Sequence, residues 1–154
     1  MKLNEVLKPA GWIGPVYHGT NNDFTEFETH KGIGSHFGTK QQAKKMGKVK
    51  TYYLNIKNPL DMPDMIGWPP FYIVSFLKKQ DLVTDNFYEK VISLSPFPDL
   101  GGKGGANMNK DAYDLLRKKI QSLGYDAIRY ENDFEGEGIS YIVFEPDQIK
   151  MASE

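Results

Sequence analysis

The chain has 154 residues, 40% hydrophobic and 13% aromatic, with 19 basic against 20 acidic side chains and a formal net charge of -1. That length suits one domain over residues 1–154, burying roughly two thirds of the surface an unfolded chain exposes, and the charge offers no global pull on nucleic acid or acidic lipid. The absence of cysteine excludes disulfides, thiol nucleophiles and thiolate metal sites, no stretch approaches the ~20 apolar residues of a membrane span, and the N-terminal segment lacks a signal peptide's apolar core, so a soluble cytoplasmic protein with no membrane partner is expected.

In chain order, residues 2–7 suit a short helix that Pro9 and Gly11 break. The first strand is PVYHG, and a short strand is expected over FTEFE, residues 24–28. An aromatic strand around His36 and Phe37 precedes a helix starting at Thr39, which stands with Gln42 at capping-box spacing, and Gly47 closes that helix. KTYYLNIKNPL reads as the clearest strand, with Tyr52, Leu54 and Ile56 on one face and Asn58-Pro59 at its end. From Met62 to Leu94 the pattern is helical, with prolines opening PPFYIVSFLKKQ and Asp85 capping NFYEKVISL. SPFPDLGGKGGANMN, residues 95–109, reads as a long loop. A helix follows, with Asp111 near its start, Ala112, Leu116, Ile120 and Leu123 on its apolar stripe, and Gly124 at its end. YDAIRY and SYIVFEP form two closing strands, and the last is apolar on both faces, the mark of a central strand. Strands at both ends with helices between them, and no regular βαβ alternation, give an α+β fold.

The chemistry concentrates in a few places. A lone histidine on a strand is ordinarily a hydrogen-bonded core residue, but Gly19 leaves room for a ligand near the backbone and Thr20 adds a donor, so His18, Gly19 and Thr20 converge. His36 and Phe37, flanked by Gly32, Gly34 and Gly38, either pack under a tight turn or offer an aromatic surface to a planar ring. The three histidines are spaced 12 and 6 apart, which matches no metal motif, and no metal is expected. Lysines 40, 44, 45, 48 and 50 form a basic run: a solvated face, or a contact for a diphosphate or nucleic acid if the run borders a cleft. GGKGG lacks the length and hydroxyl residue of a phosphate-binding loop. Glu131, Asp133, Glu135 and Glu137 crowd the loop before the last strand, where one turned inward could act as a base or stabilise a cation.

Taken in order, VYHGTNNDFTEF, GSHFGTKQQA, YYLNIKNPLDMPD, LGYDAIRYEN and SYIVFEPDQIK resemble the ADP-ribosyltransferase domain of phage and mobile-element polyvalent proteins, over Val16 to Lys150. More distantly they are similar to the diphtheria-toxin-like branch that includes the poly(ADP-ribose) polymerases. The resemblance implies a split pair of small β-sheets gripping NAD as substrate, without metal. It gives His18 the ribose next to nicotinamide and the Gly19 backbone the carboxamide. His36 falls where relatives carry a stacking tyrosine, with Phe37 beside it, and Ser140 falls where many carry the catalytic glutamate. A serine cannot supply the charge that stabilises an oxocarbenium-like ribose. Either Glu135 or Glu137 reaches in, or catalysis is slow, or the domain only binds. The implied activity is mono-ADP-ribosyl transfer to a protein or nucleic-acid acceptor of a bacterial host, in the host's cytoplasm if the chain is phage-encoded. The alternatives are a non-catalytic module for NAD, ADP-ribose or a host protein, and an NAD glycohydrolase.

Overall fold

The computed structural model describes residues 7–20, 27–132 and 138–152. Two small sheets carry the fold. The first holds β1 (Ile13–Thr20), β3 (Lys48–Leu54) and β7 (Ile149–Met151), antiparallel in the order β1-β3-β7. The second holds β2 (Ser35–Phe37), β4 (Pro59–Asp61), β5 (Ala127–Glu131) and β6 (Ile139–Val143), in the order β2-β6-β5-β4 with β4 and β5 parallel. The sheets meet at one corner, where the Tyr17 and Gly38 backbones exchange both hydrogen bonds at 2.9 Å.

Side-chain alternation along β5 and β6 divides the interior in two. Ile128, Tyr130, Ile142 and Phe144 pack into a large core with α2 (Pro70–Lys79), α3 (Asp85–Ser93) and α5 (Lys110–Ser122). Ala127 and Val143 face the other way, joining Phe37 and the Val16, Tyr52 and Leu54 side chains of the first sheet. The second sheet is therefore covered on both faces, as the two-sided apolarity of SYIVFEP implies. Arg117, 2% exposed on α5, is ion-paired to Asp114 at 2.8 Å and donates to the carbonyls of Gly32 and Ile33. A buried guanidinium thus fastens the turn that leads into β2.

The α+β reading holds. The capping box holds as well: Thr39 accepts from the Gln42 N–H and the Gln42 side chain accepts from the Thr39 N–H, starting α1 (Lys40–Lys44). Other expectations need correction. Residues 62–69 are not helical, and α2 begins only at Pro70. Thr84, not Asp85, caps α3, its hydroxyl accepting from the Phe87 N–H at 3.1 Å. Leu123 stands at the C-cap of α5 and is 36% exposed, off the buried stripe. The glycine-rich stretch is not a loop throughout, because Gly102–Met108 forms α4. Its turn is held by Asn109, fully buried, whose side chain bonds the Phe97 N–H and the carbonyls of Phe97 and Leu100. KTYYLNIKNPL splits, since β3 stops at Leu54 and Pro59 begins β4 instead of ending the same strand. Of the strand expected over 24–28, Phe27 and Glu28 belong to no strand and 24–26 lie outside the described residues. The helix expected over 2–7 also lies outside them, apart from Leu7. Among the described residues no helix is long and apolar enough to cross a membrane.

Candidate active site

A cleft of about 650 Å³ opens beside the corner where the sheets join. His18, Gly19, Thr20, His36, Phe37 and Ser140 all contribute to its lining. Glu135 and Glu137 lie outside the described residues. The chain reaches the cleft edge on either side of them, at Asn132, which lines it, and at Gly138, whose carbonyl accepts from the Asn132 N–H at 2.9 Å.

His18 projects from β1 with Nδ1 2.7 Å from the His36 carbonyl oxygen. A carbonyl only accepts, so Nδ1 carries the proton and the neutral ring keeps its lone pair on Nε2. Burial lowers the His18 pKa below 6.5, against the opposing effect of that carbonyl. The ring rests on Phe27 at 5.1 Å and Phe37 at 5.4 Å between centroids, both in contact with Tyr52.

His36 and Phe37 are adjacent on a strand and point to opposite faces. Phe37 is 2% exposed and belongs to the core under His18, so it braces that imidazole more than it offers a stacking surface. His36 faces the other way, half-buried, its ring edge-on to Trp68 and Tyr130 at 6.2 Å and its Nδ1 3.1 Å from the Tyr130 hydroxyl. Burial, reinforced by the neighbouring His18, brings its pKa down to about 4. It is neutral at ordinary pH.

Ser140, 2% exposed, donates to Gln42 Oε1 at 2.8 Å and accepts from Asn132 Nδ2 at 3.4 Å. Gln42 in turn donates to the Gly138 carbonyl at 3.3 Å. Among the described residues the Ser140 hydroxyl thus bonds only uncharged side chains, and the Gln42 amide occupies the space a longer side chain at 140 would need. Among the described residues, the carboxylates lining the cleft are Glu28 and Asp64.

The glycines play a different part from the one anticipated. A Cβ on Gly19 would stand 1.9 Å from the Ala43 carbonyl oxygen, so its missing side chain admits helix α1 while its backbone lines the cleft. At Gly38 a Cβ would meet Gln42 Oε1 at 1.9 Å, and at Gly34 the Val143 carbonyl at 2.5 Å. Close approach of the protein to itself requires these three.

Sequence reasoning missed the far wall. Ile66, Gly67 and Trp68 line the cleft with φ of 46°, 78° and 54°, three consecutive left-handed residues, two of them not glycine. The segment is tied down by the Ile66 N–H to Asp64 Oδ1 at 3.0 Å, the Gly102 N–H to the Gly67 carbonyl at 2.9 Å, and the Tyr113 hydroxyl to the Trp68 carbonyl at 2.7 Å. Nothing local in the sequence announces this turn. Gln42 was legible only as a cap, and Asn132 was hidden in an acidic loop.

Among the described residues no three histidine or carboxylate side chains come together as metal ligands. No curated protein matches the chain. A solved structure described as "Crystal structure of an anti-CRISPR protein" aligns with a TM-score of 0.42 at 12% identity, covering 92% of this chain and 95% of that one, a likeness too slight to bear on chemistry. The family model described as "ADP-Ribosyltransferase in polyvalent proteins" matches residues 10–154, which include every cleft residue named above, and the chain belongs to that family.

Proposed function

We propose that this chain is a mono-ADP-ribosyltransferase that binds NAD in the cleft, expels nicotinamide and passes ADP-ribose to a macromolecular acceptor, acting in a bacterial cytoplasm. The observation that carries the reading is the convergence of two neutral imidazoles, His18 and His36, on one aromatic-lined cleft within the ~300–1,000 Å³ typical of small-molecule sites. The residues fit the dinucleotide. His18 Nε2 accepts a hydroxyl of the nicotinamide ribose. An uncharged His36 ring can lie against the cationic nicotinamide without repulsion, which an imidazolium could not do. Lys31, on the cleft lining, suits the diphosphate.

In the reaction the bond between ribose C1 and the nicotinamide nitrogen breaks, its electron pair neutralises the ring, and an acceptor lone pair bonds to C1 as the acceptor proton leaves. The chain's task is to hold the ribose and stabilise the cationic sugar. Ser140 has its hydroxyl proton committed to Gln42 and serves as a hydrogen-bonding partner. Glu135 or Glu137 supplies the charge, from five residues whose flanking chain is anchored at the rim. Loss of one such group typically costs ~10²–10³ in rate.

A second reading, a module that binds NAD, ADP-ribose or a host protein without turnover, is favoured by Ser140 itself, a hydroxyl bonded to the Gln42 and Asn132 side chains where a charged group is expected. Incubation with NAD labelled in the adenylate half decides between them. Transfer of label to macromolecule, reduced at least tenfold in Glu135→Gln or Glu137→Gln, supports the transferase. Nicotinamide release without labelled macromolecule would indicate a glycohydrolase, and binding without release the passive module. Neither binding nor transfer would retire both readings.

A further inference from the structure

The basic run borders the cleft. Ala43 and Met46, which flank Lys44 and Lys45, line it, and so do His18 and Thr20, which pair across β1 and β3 with Lys50 and Lys48. Residues directly opposite in an antiparallel pair share a face, as do alternate residues of one strand. The inner face of the first sheet therefore changes along β3 from Leu54 and Tyr52, buried in the core, to Lys50 and Lys48 beside His18 and Thr20. Lys40, Lys44, Lys45 and Lys48 are exposed, and Lys50 is half-buried.

Residues 40–50 hold five lysines and no acidic residue, in a chain whose overall charge is -1. None of the five joins an ion pair among the described residues, whereas Lys78, Lys110, Arg117 and Arg129 all do. A cluster of like charges without partners in one short stretch beside the cleft is self-repelling, and a polyanion relieves it. All five are lysines, compact point charges that can meet a phosphate from any direction. A nucleic-acid strand offers one phosphate per nucleotide in a row, so several lysines are satisfied at once. The acceptor must also send a nucleophilic atom into a cleft between two sheets, which a stacked, paired base cannot do.

We propose that the acceptor is single-stranded nucleic acid, its backbone lying along Lys44, Lys45, Lys48 and Lys50 while one nucleotide enters the cleft. The inference rests on ADP-ribosyl transfer from NAD at that site. A nucleophilic nitrogen or oxygen of the nucleotide bonds to ribose C1 as nicotinamide departs with the bonding pair, and the acceptor proton is released to solvent.

The test uses fluorescent single-stranded DNA and RNA of about 16 nucleotides, the upper end of single-site lengths, with matched duplexes and poly-glutamate as controls. Single strands bind the wild-type chain with a log–log salt slope of about -3, from four phosphate contacts at about 0.7 each. They take label from NAD, whereas duplex and poly-glutamate do not. Lys44→Gln/Lys45→Gln/Lys48→Gln, all exposed and checked for an unchanged melting temperature, weakens strand binding at least tenfold and flattens the slope. Failure of single strands to bind at low salt, binding indifferent to the triple variant, or label entering protein but not oligonucleotide each overturns the inference. Calorimetry with NAD and assay of nicotinamide release keep the two levels apart. Nicotinamide released with no labelled strand rejects the nucleic-acid acceptor alone, whereas absence of NAD binding rejects the cleft reading beneath it.

Discussion

Two histidines close in sequence and space have opposite tasks. His18 spends its Nδ1 proton on the His36 carbonyl, which fixes the tautomer and leaves Nε2 as the acceptor. His18→Asn retains an amide donor near the Nδ1 position and loses Nε2. It is expected to melt within a few degrees of the wild type while NAD affinity falls about 10-fold or more, the loss of one hydrogen bond in a site built to make it; calorimetry and a melting curve together check this. His36 is held neutral, with a folded pKa of about 4 against an unfolded 6.5. Between those values the unfolded chain binds a proton that the folded chain refuses, so stability rises with pH across the window and is lost on acidification from 6.5 toward 4. The carboxylates held below their ordinary values, Asp61, Asp114 and Glu145, act only lower, as pH falls through and below their unfolded pKa of about 4. His36→Gln should flatten the melting-temperature profile between pH 6.5 and 4.5. A profile unchanged by that substitution would contradict the assignment.

Single elements set the walls. Helix α1 presses its backbone onto β1 at Gly19, and Gly19→Ala would drive a Cβ into the Ala43 carbonyl, a contact that no rotamer relieves. A destabilisation on the order of 3 kcal/mol by chemical denaturation is expected, the upper range for overpacking. The Ile66–Trp68 strap stores strain of the opposite kind. A β-branched residue with φ of 46° costs about 1–2 kcal/mol, and Ile66 is 58% exposed, so it recovers little by burial. Ile66→Gly is predicted to leave the melting temperature unchanged or raise it while weakening NAD binding, because the side chain faces the cleft and glycine tolerates the turn. A drop in stability with binding intact would make the strap merely structural. These elements also divide what was legible from what was not. The Thr39–Gln42 box, the central strand and the His18 strand are local or periodic signals, and they can be read from the chain. Helix α4 defies its glycines because Asn109 and the close approach of Gly101 to the Gly67 carbonyl hold it, and those are tertiary facts. β4 and β7, three residues each, are too short for any period to show.

At the scale of the whole molecule the cleft exists because two sheets are joined at one corner and diverge from it. Beyond the Tyr17–Gly38 bridge, Phe37 and Val16 fill one side of the divergence with core, and the other side is left open. The sequence carried the first-strand histidine and the ring pair because both sit in short motifs. It could not carry the Gln42–Ser140–Asn132 network, whose members are brought together from α1, β6 and the end of β5 by the fold alone. Nor could it tell that a side chain at Gly19, Gly34 or Gly38 would collide with the protein's own atoms. The most direct test is an NMR titration of the isotope-labelled chain with NAD. The predicted result is saturable shifts of the Gly19, Thr20, His36 and Gly38 amides and the Trp68 indole, with α3 and the outer turn of α5 unmoved. Shifts confined to other surfaces, or none at millimolar NAD, would contradict the account.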